Sequence, residues 1–273
     1  MQPPGAGSGG APLPDAGQEA STLAGEGGAP SAAGAAGAGG EAGAAVACSV
    51  TDVAPAGSLL HRYSFTGTGA VAKDSVGTAD GTIETGAALD GNGLVVFDGN
   101  SGYVDLPNHL ISVLTDVTFV TWAKFLGGAG YERIFDFGVG AGENDTSGAG
   151  QSYVAVAPYG GGSRLLMLAR QNMNTMEVQI PSAADINDQQ EHQVALVFAS
   201  LSRAELYLDG QLLGRTAITF SLSDIVDVND WLGRSQWVDD HYFNGSMDEF
   251  RIYGQALTPC AIEALDAAGP DAP

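Results

Sequence analysis

Hydrophobic and polar positions alternate with period two across 58–253, in short runs that end at Gly, Asp, Asn or Pro. LLHRYSF alternates around Leu60, Arg62 and Ser64, and VTFVTWAKF sets Val117, Phe119, Thr121, Ala123 and Phe125 against Thr118, Val120, Trp122 and Lys124. A strand turns successive side chains to opposite faces, so these runs predict strands. LVVFDG and YVDLP flank NSG, which predicts a tight hairpin, and DG at 209–210 predicts another after AELYLDG. HQVALVFAS, RIFDFG, SYVAVA, RLLMLAR, MEVQIP and FRIYG bring the series to about a dozen strands. Helical signals wait until 258–267, where Thr258 is an N-cap, Pro259 takes the first helical position and CAIEALDAA follows. The predicted fold class is all-β, a two-sheet antiparallel sandwich or jelly roll with one short C-terminal helix.

Composition divides the chain. Between 1 and 47, 28 residues are Gly or Ala and none is Lys, Arg or aromatic. Such a segment has too little apolar bulk to offset its chain entropy, so it reads as a flexible tail or linker. The folded domain is expected at 48–268, with a flexible end at 269–273. The net charge is −22, and only four of the 32 acids lie in the tail. An acidic surface repels phosphate backbones, which argues against nucleic acid and anionic membranes as partners. No apolar run reaches the roughly 18 residues of a membrane helix. MQPPGAGSGG lacks the basic start and apolar core of an export signal. It reads as the beginning of a mature exported chain, with the tail as a candidate attachment to the cell envelope.

Two acids stand side by side at the start of the last strand. In SMDEFRIYG, unbroken alternation puts Asp248 on the face of Phe250 and Ile252, and Glu249 on the face of Arg251 and Tyr253. Opposite faces exclude a carboxylate dyad. Glu249 is expected to pair with Arg251 or a neighbour on its own face. Asp248, if buried, needs a partner, either turn N–H groups or a cation. A loop at 233–245, GRSQWVDDHYFNG, crowds Trp237, Asp239, Asp240, His241 and Tyr242 together. Flat aromatics beside acceptors suit sugar faces and hydroxyls; the alternative is a loop whose Trp237 covers core. Tyr131 in GGAGYERIF and Tyr159 in APYGGGS are further candidate exposed aromatics. His61, His109, His192 and His241 are too far apart for a spaced zinc cluster, and His61 and His192 sit in strand patterns. There is no G-x-S-x-G, no G-x-x-x-x-G-K-[ST] and no H-E-x-x-H. Cys48 and Cys260 are either one bridge joining the ends of the domain or two free thiols.

Four segments in order resemble the laminin-G-like, concanavalin-A-like lectin and glucanase family in its bacterial form. HRYSFTGTGAVAKDSVGTADGTI resembles the opening strand with its Asp-Ser-x-Gly turn, and VVFDGNSGYVDLP carries Phe97, Asp98, Gly99 and Tyr103 at the expected places. VTFVTWAKF with RIFDFG resembles the central pair of strands. HQVALVFASLSRAELYLDGQLLG and WLGRSQWVDDHYFNGSMDEFRIYGQALTPCAIEAL resemble the final third. The resemblance covers roughly 58–267. It implies a curved two-sheet jelly roll that binds glycans, binds proteins or accompanies secreted enzymes. It also implies that the first and last strands are neighbours, hence a Cys48–Cys260 disulfide, and that Ca²⁺ is a candidate cofactor with Asp74 and Asp248 as ligands and Asp240 in reserve. Glucanases of this fold use Glu-x-Asp-x-x-Glu on a strand. ENDTSG matches only Glu143 and Asp145, with Gly148 in the third acid's place, inside a Gly-rich loop. The expectation is a non-enzymatic module, extracellular or at the cell surface. Its expected partner is a glycan through Trp237, Asp239, Asp240, Tyr242 and Tyr131, the alternative being a cell-surface protein. An atypical hydrolase stands third.

Overall fold

The computed structural model describes Cys48, residues 54–142 and residues 144–272. All lie in the unit Val46–Pro273. The expected tail at 1–47 and Glu143 fall outside the described residues. The alternating runs become strands. The first are β1 Leu59–Tyr63, β2 Val71–Ala72, β3 Gly81–Ile83, β4 Ala87–Leu89, β5 Val95–Asp98 and β6 Val104–Leu106. Then come β7 Asp116–Phe125, β8 Phe135–Val139, β9 Ser152–Ala157, β10 Leu166–Arg170 and β11 Val178–Pro181. The last are β12 Glu191–Ala199, β13 Arg203–Leu208, β14 Gln211–Ala217, β15 Asn229–Leu232 and β16 Asn244–Tyr253.

Two antiparallel sheets result. One runs β14-β13-β12-β7-β16-β5-β4, with β1 also paired to β16; the other runs β11-β10-β9-β8-β15-β6-β3-β2. Inward positions of both sheets make one core. Phe119 from β7 lies 4.6 Å from Phe135 and 5.0 Å from Phe137 on the facing sheet, and Phe250 of β16 lies 5.6 Å from Phe135. Aromatic pairs at such spacings add about 0.5–1.5 kcal/mol to the area they bury.

The DG turn joins β13 to β14 as predicted, with Asp209 at φ 47° and Gly210 at φ 73°. Both positive φ values match a tight hairpin with strand-like twist. NSG does not make a hairpin: β5 pairs within the first sheet and β6 within the second. The segment is a passage between layers. Asp98 Oδ1 accepts the N–H groups of Asn100, Ser101 and Gly102, and this closed turn redirects the chain without pairing its flanks.

The helix α1 is Pro259–Ala268, and Thr258 caps it by accepting Ala261 N–H at 3.2 Å. Its buried face, Ala261 and Ile262, covers Val120, Trp122, Val197 and Tyr207 on the outer side of the first sheet. Cys48 and Cys260 form a disulfide with Cα atoms 5.2 Å apart. Beyond the helix, in the stretch expected to be loose, Arg251 Nη2 donates to the carbonyls of Pro270 and Ala272, each at 2.6 Å.

Candidate functional site: an aromatic-walled cleft on the second sheet

Outward positions of the second sheet form a small apolar patch of Tyr153, Ala155, Ala157, Leu166 and Leu168. Register explains its shape. Ala155 of β9 lies between Asp136 of β8 and Leu168 of β10, and Tyr153 lies beside Arg170. The small Ala155 keeps the floor low. Tyr131 and Trp237 pack against the patch from two loops and become the walls.

Glycines seat both rings. A Cβ on Gly150 would fall 2.1 Å from Trp237 Nε1, and one on Gly160 would fall 2.7 Å from the Tyr131 ring. Gly150 also has φ +56°, which a side chain adopts at a cost. Tyr131 itself sits at φ 63°, an uncommon conformation for a bulky residue. Its N–H donates to Tyr159 O at 2.8 Å and its carbonyl accepts from Arg133 Nη1 at 2.5 Å, so the surroundings hold the strain.

The space between the walls is a cavity of ≈ 330 Å³ with Leu168 at its floor and Arg133, Arg170, Glu177 and Asp240 at its sides. Arg133 organises it. Its Nε donates to Asp136 Oδ2 at 3.2 Å, and its Nη2 pairs with Asp240 Oδ2 at 2.9 Å. Asp240 also accepts Ser235 Oγ–H at 2.7 Å, and that hydroxyl accepts Trp237 N–H at 3.1 Å. Burial pushes the Asp136 carboxyl up to about 7, against the pull of Arg133 and of Gln236 N–H. Burial also raises Asp240, opposed by Arg133 and by the Ser235 hydroxyl. The Arg170 guanidinium lies 5.6 Å from the Trp237 ring centroid. Glu177 accepts the hydroxyl of Tyr153, whose own pKa burial drives upward.

Three expected binding residues, Trp237, Asp240 and Tyr131, thus meet in one cleft. Tyr242 lies with Arg234 and His241 in a second hollow of ≈ 230 Å³ that shares Trp237 and Asp240. Asp239 is exposed and lines neither. Arg133, Leu168, Arg170 and Glu177 were not foreseen. Period two in RLLMLAR does place Leu166, Leu168 and Arg170 on one face, but both faces of that run are apolar, which hides the outward one.

The acidic pair Asp248 and Glu249 departs from the unbroken alternation expected of it. Met247 pairs with Ala123 and Glu249 with Trp122, so Asp248 is an extra residue, a β-bulge. Met247, Phe250 and Ile252 face the core, and Asp248 does not. Burial pushes its carboxyl up to about 6, helped by the charges of Glu191, Asp271 and Glu249. Glu249 pairs with Arg251, at 2.8 Å, and with Arg62. Asp74 is enclosed by donors. Its Oδ1 accepts the N–H groups of Arg62, Val76 and Gly77, and its Oδ2 meets Ala79 N–H and His61 Nδ1. Burial would raise it, but the His61 contact and the backbone donors outweigh that and hold it at about 2. Five donors use the roughly four lone-pair sites of a carboxylate, so Asp74 does not fit a Ca²⁺ ligand. Among the described residues no three His, Cys, Asp or Glu side chains gather to hold a metal. Nor is any helix among them long and apolar enough to cross a membrane.

A family model described as the concanavalin A-like lectin/glucanases superfamily matches residues 98–263. The chain belongs to this superfamily. No curated protein matches it. Among solved structures it is similar to domain 4 of AbnA, an extracellular arabinanase from Geobacillus stearothermophilus in complex with arabinotriose. That match has 19% identity and a TM-score of 0.62, and covers 76% of this chain and 97% of that one. It is also similar to the binding domain of botulinum neurotoxin DC in complex with rat synaptotagmin II, at 14% identity and TM-score 0.56. That match covers 77% of this chain but 52% of the toxin chain. A botulinum neurotoxin type C structure, whose subject is interaction with two ganglioside molecules, gives 16% identity and TM-score 0.57, over 77% and 51% of the chains. At these identities the likeness is one of fold.

Proposed function

We propose that this chain is a non-catalytic extracellular or surface-attached binding module, and that the cleft between Tyr131 and Trp237 takes a carbohydrate. The observation that carries this reading is the combination in one cavity of two glycine-seated rings, an apolar floor at Leu168 and fixed donors and acceptors around the rim. Sugars present apolar C–H faces edged by hydroxyls, and such a site matches both surfaces. The two acids of the cleft are engaged, Asp240 by Arg133 and Ser235, Glu177 by Tyr153. Neither is a free partner for acid–base chemistry, which supports binding without turnover. The disulfide supports an oxidising compartment.

A glycan array probed with the wild type and Trp237→Ala tests the reading. Binding to a defined set of glycans is expected, falling at least about tenfold in the variant, which corresponds to ~1.4 kcal/mol. No release of reducing ends is expected from the bound glycans. Binding to a protein extract with no glycan bound would replace this reading with an adhesion module; sustained release of reducing ends would replace it with an enzyme.

A further inference from the structure

Ten Lys+Arg serve 32 Asp+Glu in this chain, so a cation without a carboxylate is unexpected. Arg62 and Arg251 pair with Glu249, Arg133 with Asp136 and Asp240, Arg164 with Asp185, and Arg203 and Arg215 with Glu205. Lys73 pairs with Asp80, and among the described residues Lys124, Arg170 and Arg234 have no such partner; of the two arginines, Arg234 lies in the loop that carries Trp237 and Arg170 lines the cleft beside that ring. Arg234 is enclosed, with its guanidinium 3.9 Å from the Trp231 ring centroid and 4.6 Å from that of Tyr103. Arg170 meets one ring, Trp237, with its guanidinium 5.6 Å from the ring centroid, and both residues line the cleft. Its Nη1 reaches Gly150 O only at 3.4 Å, and its Nε is buried without an acceptor.

An arginine half-withdrawn from water with donors to spare is a ready receptor for a planar or tetrahedral anion. The contact with the indole attracts the cation without using the N–H groups of the guanidinium fork. The protein's own charge of −22 works against any free anion. The anion that settles here therefore arrives on a body that the rings also hold. Resting on the carbohydrate reading above, we infer that the cleft takes an acidic glycan, and that Arg170 receives its carboxylate or sulfate while Trp237 and Tyr131 hold the sugar ring.

The experiment is a glycan array at pH 7.5 bearing neutral chains beside matched uronate-bearing and sulfate-bearing chains, probed with the wild type, Arg170→Gln, Arg170→Lys, Trp237→Ala and, as a distant control, Lys73→Gln. Thermal melts confirm that each variant is folded. The wild type is expected to favour charged chains over their neutral counterparts by tenfold or more, and the stronger arm identifies carboxylate or sulfate. Arg170→Gln is expected to erase that preference, Arg170→Lys to keep part of it because charge remains and the fork is lost, and Lys73→Gln to change nothing. Equal binding of neutral and charged chains, or a preference that survives Arg170→Gln, overturns the acidic ligand and leaves the carbohydrate reading standing if Trp237→Ala abolishes binding. Binding to no glycan overturns both.

Discussion

Asp136 joins the two walls of the cleft: its Oδ2 accepts Gln236 N–H at 3.0 Å, beside Trp237, and Arg133 Nε at 3.2 Å, whose Nη1 holds the Tyr131 carbonyl. The groups whose charge it meets are Arg133, Asp240, Asp230 and the Tyr153 phenol. Burial places its titration at about 7, so protonation near neutrality withdraws the charge that holds both walls. Ligand affinity is expected to fall as pH drops through about 7 in the wild type. In Asp136→Asn it should be lower and flat with pH. Glu132, raised by burial to about 7 and bonded to Asn244 and Ala129 N–H groups, titrates in the same range. A pH profile that persists in Asp136→Asn would move the effect to Glu132 and end the role given to Asp136.

Stability should run the opposite way. Asp105, Glu132, Asp136 and Asp248 are raised from 3.8 or 4.5 to about 6, 7, 7 and 6, burial being the largest cause in each. Where the folded state holds protons more tightly than the unfolded chain, stability falls with rising pH between the two values. His192, raised by Asp209 and Asp188 against its burial, adds stability that is present below its unfolded value and lost above its folded one, the same direction. Asp74 acts inversely: its contribution is present above 3.8 and lost as pH falls through about 2. The melting temperature is expected to peak near pH 4–5 and decline towards pH 7.5, less steeply in Asp105→Asn. A calorimetric series at pH 4, 5.5 and 7.5 that climbs throughout would contradict this.

The sandwich was legible because half-buried strands leave an alternation that survives in β7, β12 and β13, and because Asp209-Gly210 and Thr258-Pro259 are local signals with local causes. What escaped was set by partners distant in the chain. The flanks of NSG look like a hairpin in sequence, and only pairing with β4 and β16 on one side and β3 and β15 on the other assigns them to different sheets. The Asp248 bulge depends on register against β7, which no reading of β16 alone contains. In the cleft, Trp237, Tyr131 and Asp240 were visible as aromatic and acidic loop residues. Arg133 and Arg170 acquired meaning only from the side chains they do or do not meet.

Calcium removal should leave the protein unchanged. The donors around Asp74 occupy its oxygens, and Asp248 is half-buried in a bulge. Melts in EDTA and in millimolar Ca²⁺ are expected to coincide, since an ion that binds the native state raises its stability by RT ln(1 + [L]/Kd). Asp74→Ala should lower the melting temperature equally in both buffers, because it removes the acceptor of the N–H groups of Arg62, Val76, Gly77 and Ala79. A Ca²⁺-dependent shift that Asp74→Ala removes would restore the ligand role.

The Cys48–Cys260 bridge closes a loop with a sequence separation of 212. In the chain-entropy model a loop of that size is worth about 5 kcal/mol. Reduction, or Cys260→Ser, is expected to lower the melting temperature by roughly 10 °C or more for a domain of this length. Identical melts with and without reductant would show that the bridge does not form in solution.

Glu249, the second acid of the bulged pair, is 1% exposed and stands between Arg251, 0% exposed, and Arg62. Arg251 in turn lies 5.2 Å from the Trp122 ring centroid and holds the carbonyls of Pro270 and Ala272. Removing the carboxylate leaves a buried guanidinium facing a second one with no counter-charge, a loss of about 3–5 kcal/mol for pairs of this kind. Glu249→Gln is therefore expected to lower stability by that amount in urea melts. Adding Arg251→Met should recover part of the loss, because the unpaired charge goes with it and the methionine still packs on Trp122. The two readouts separate a buried charge network from a catalytic acid. If Glu249→Gln melts within ~1 kcal/mol of the wild type, the network does not hold the last strand, and the burial of this acid would need another cause.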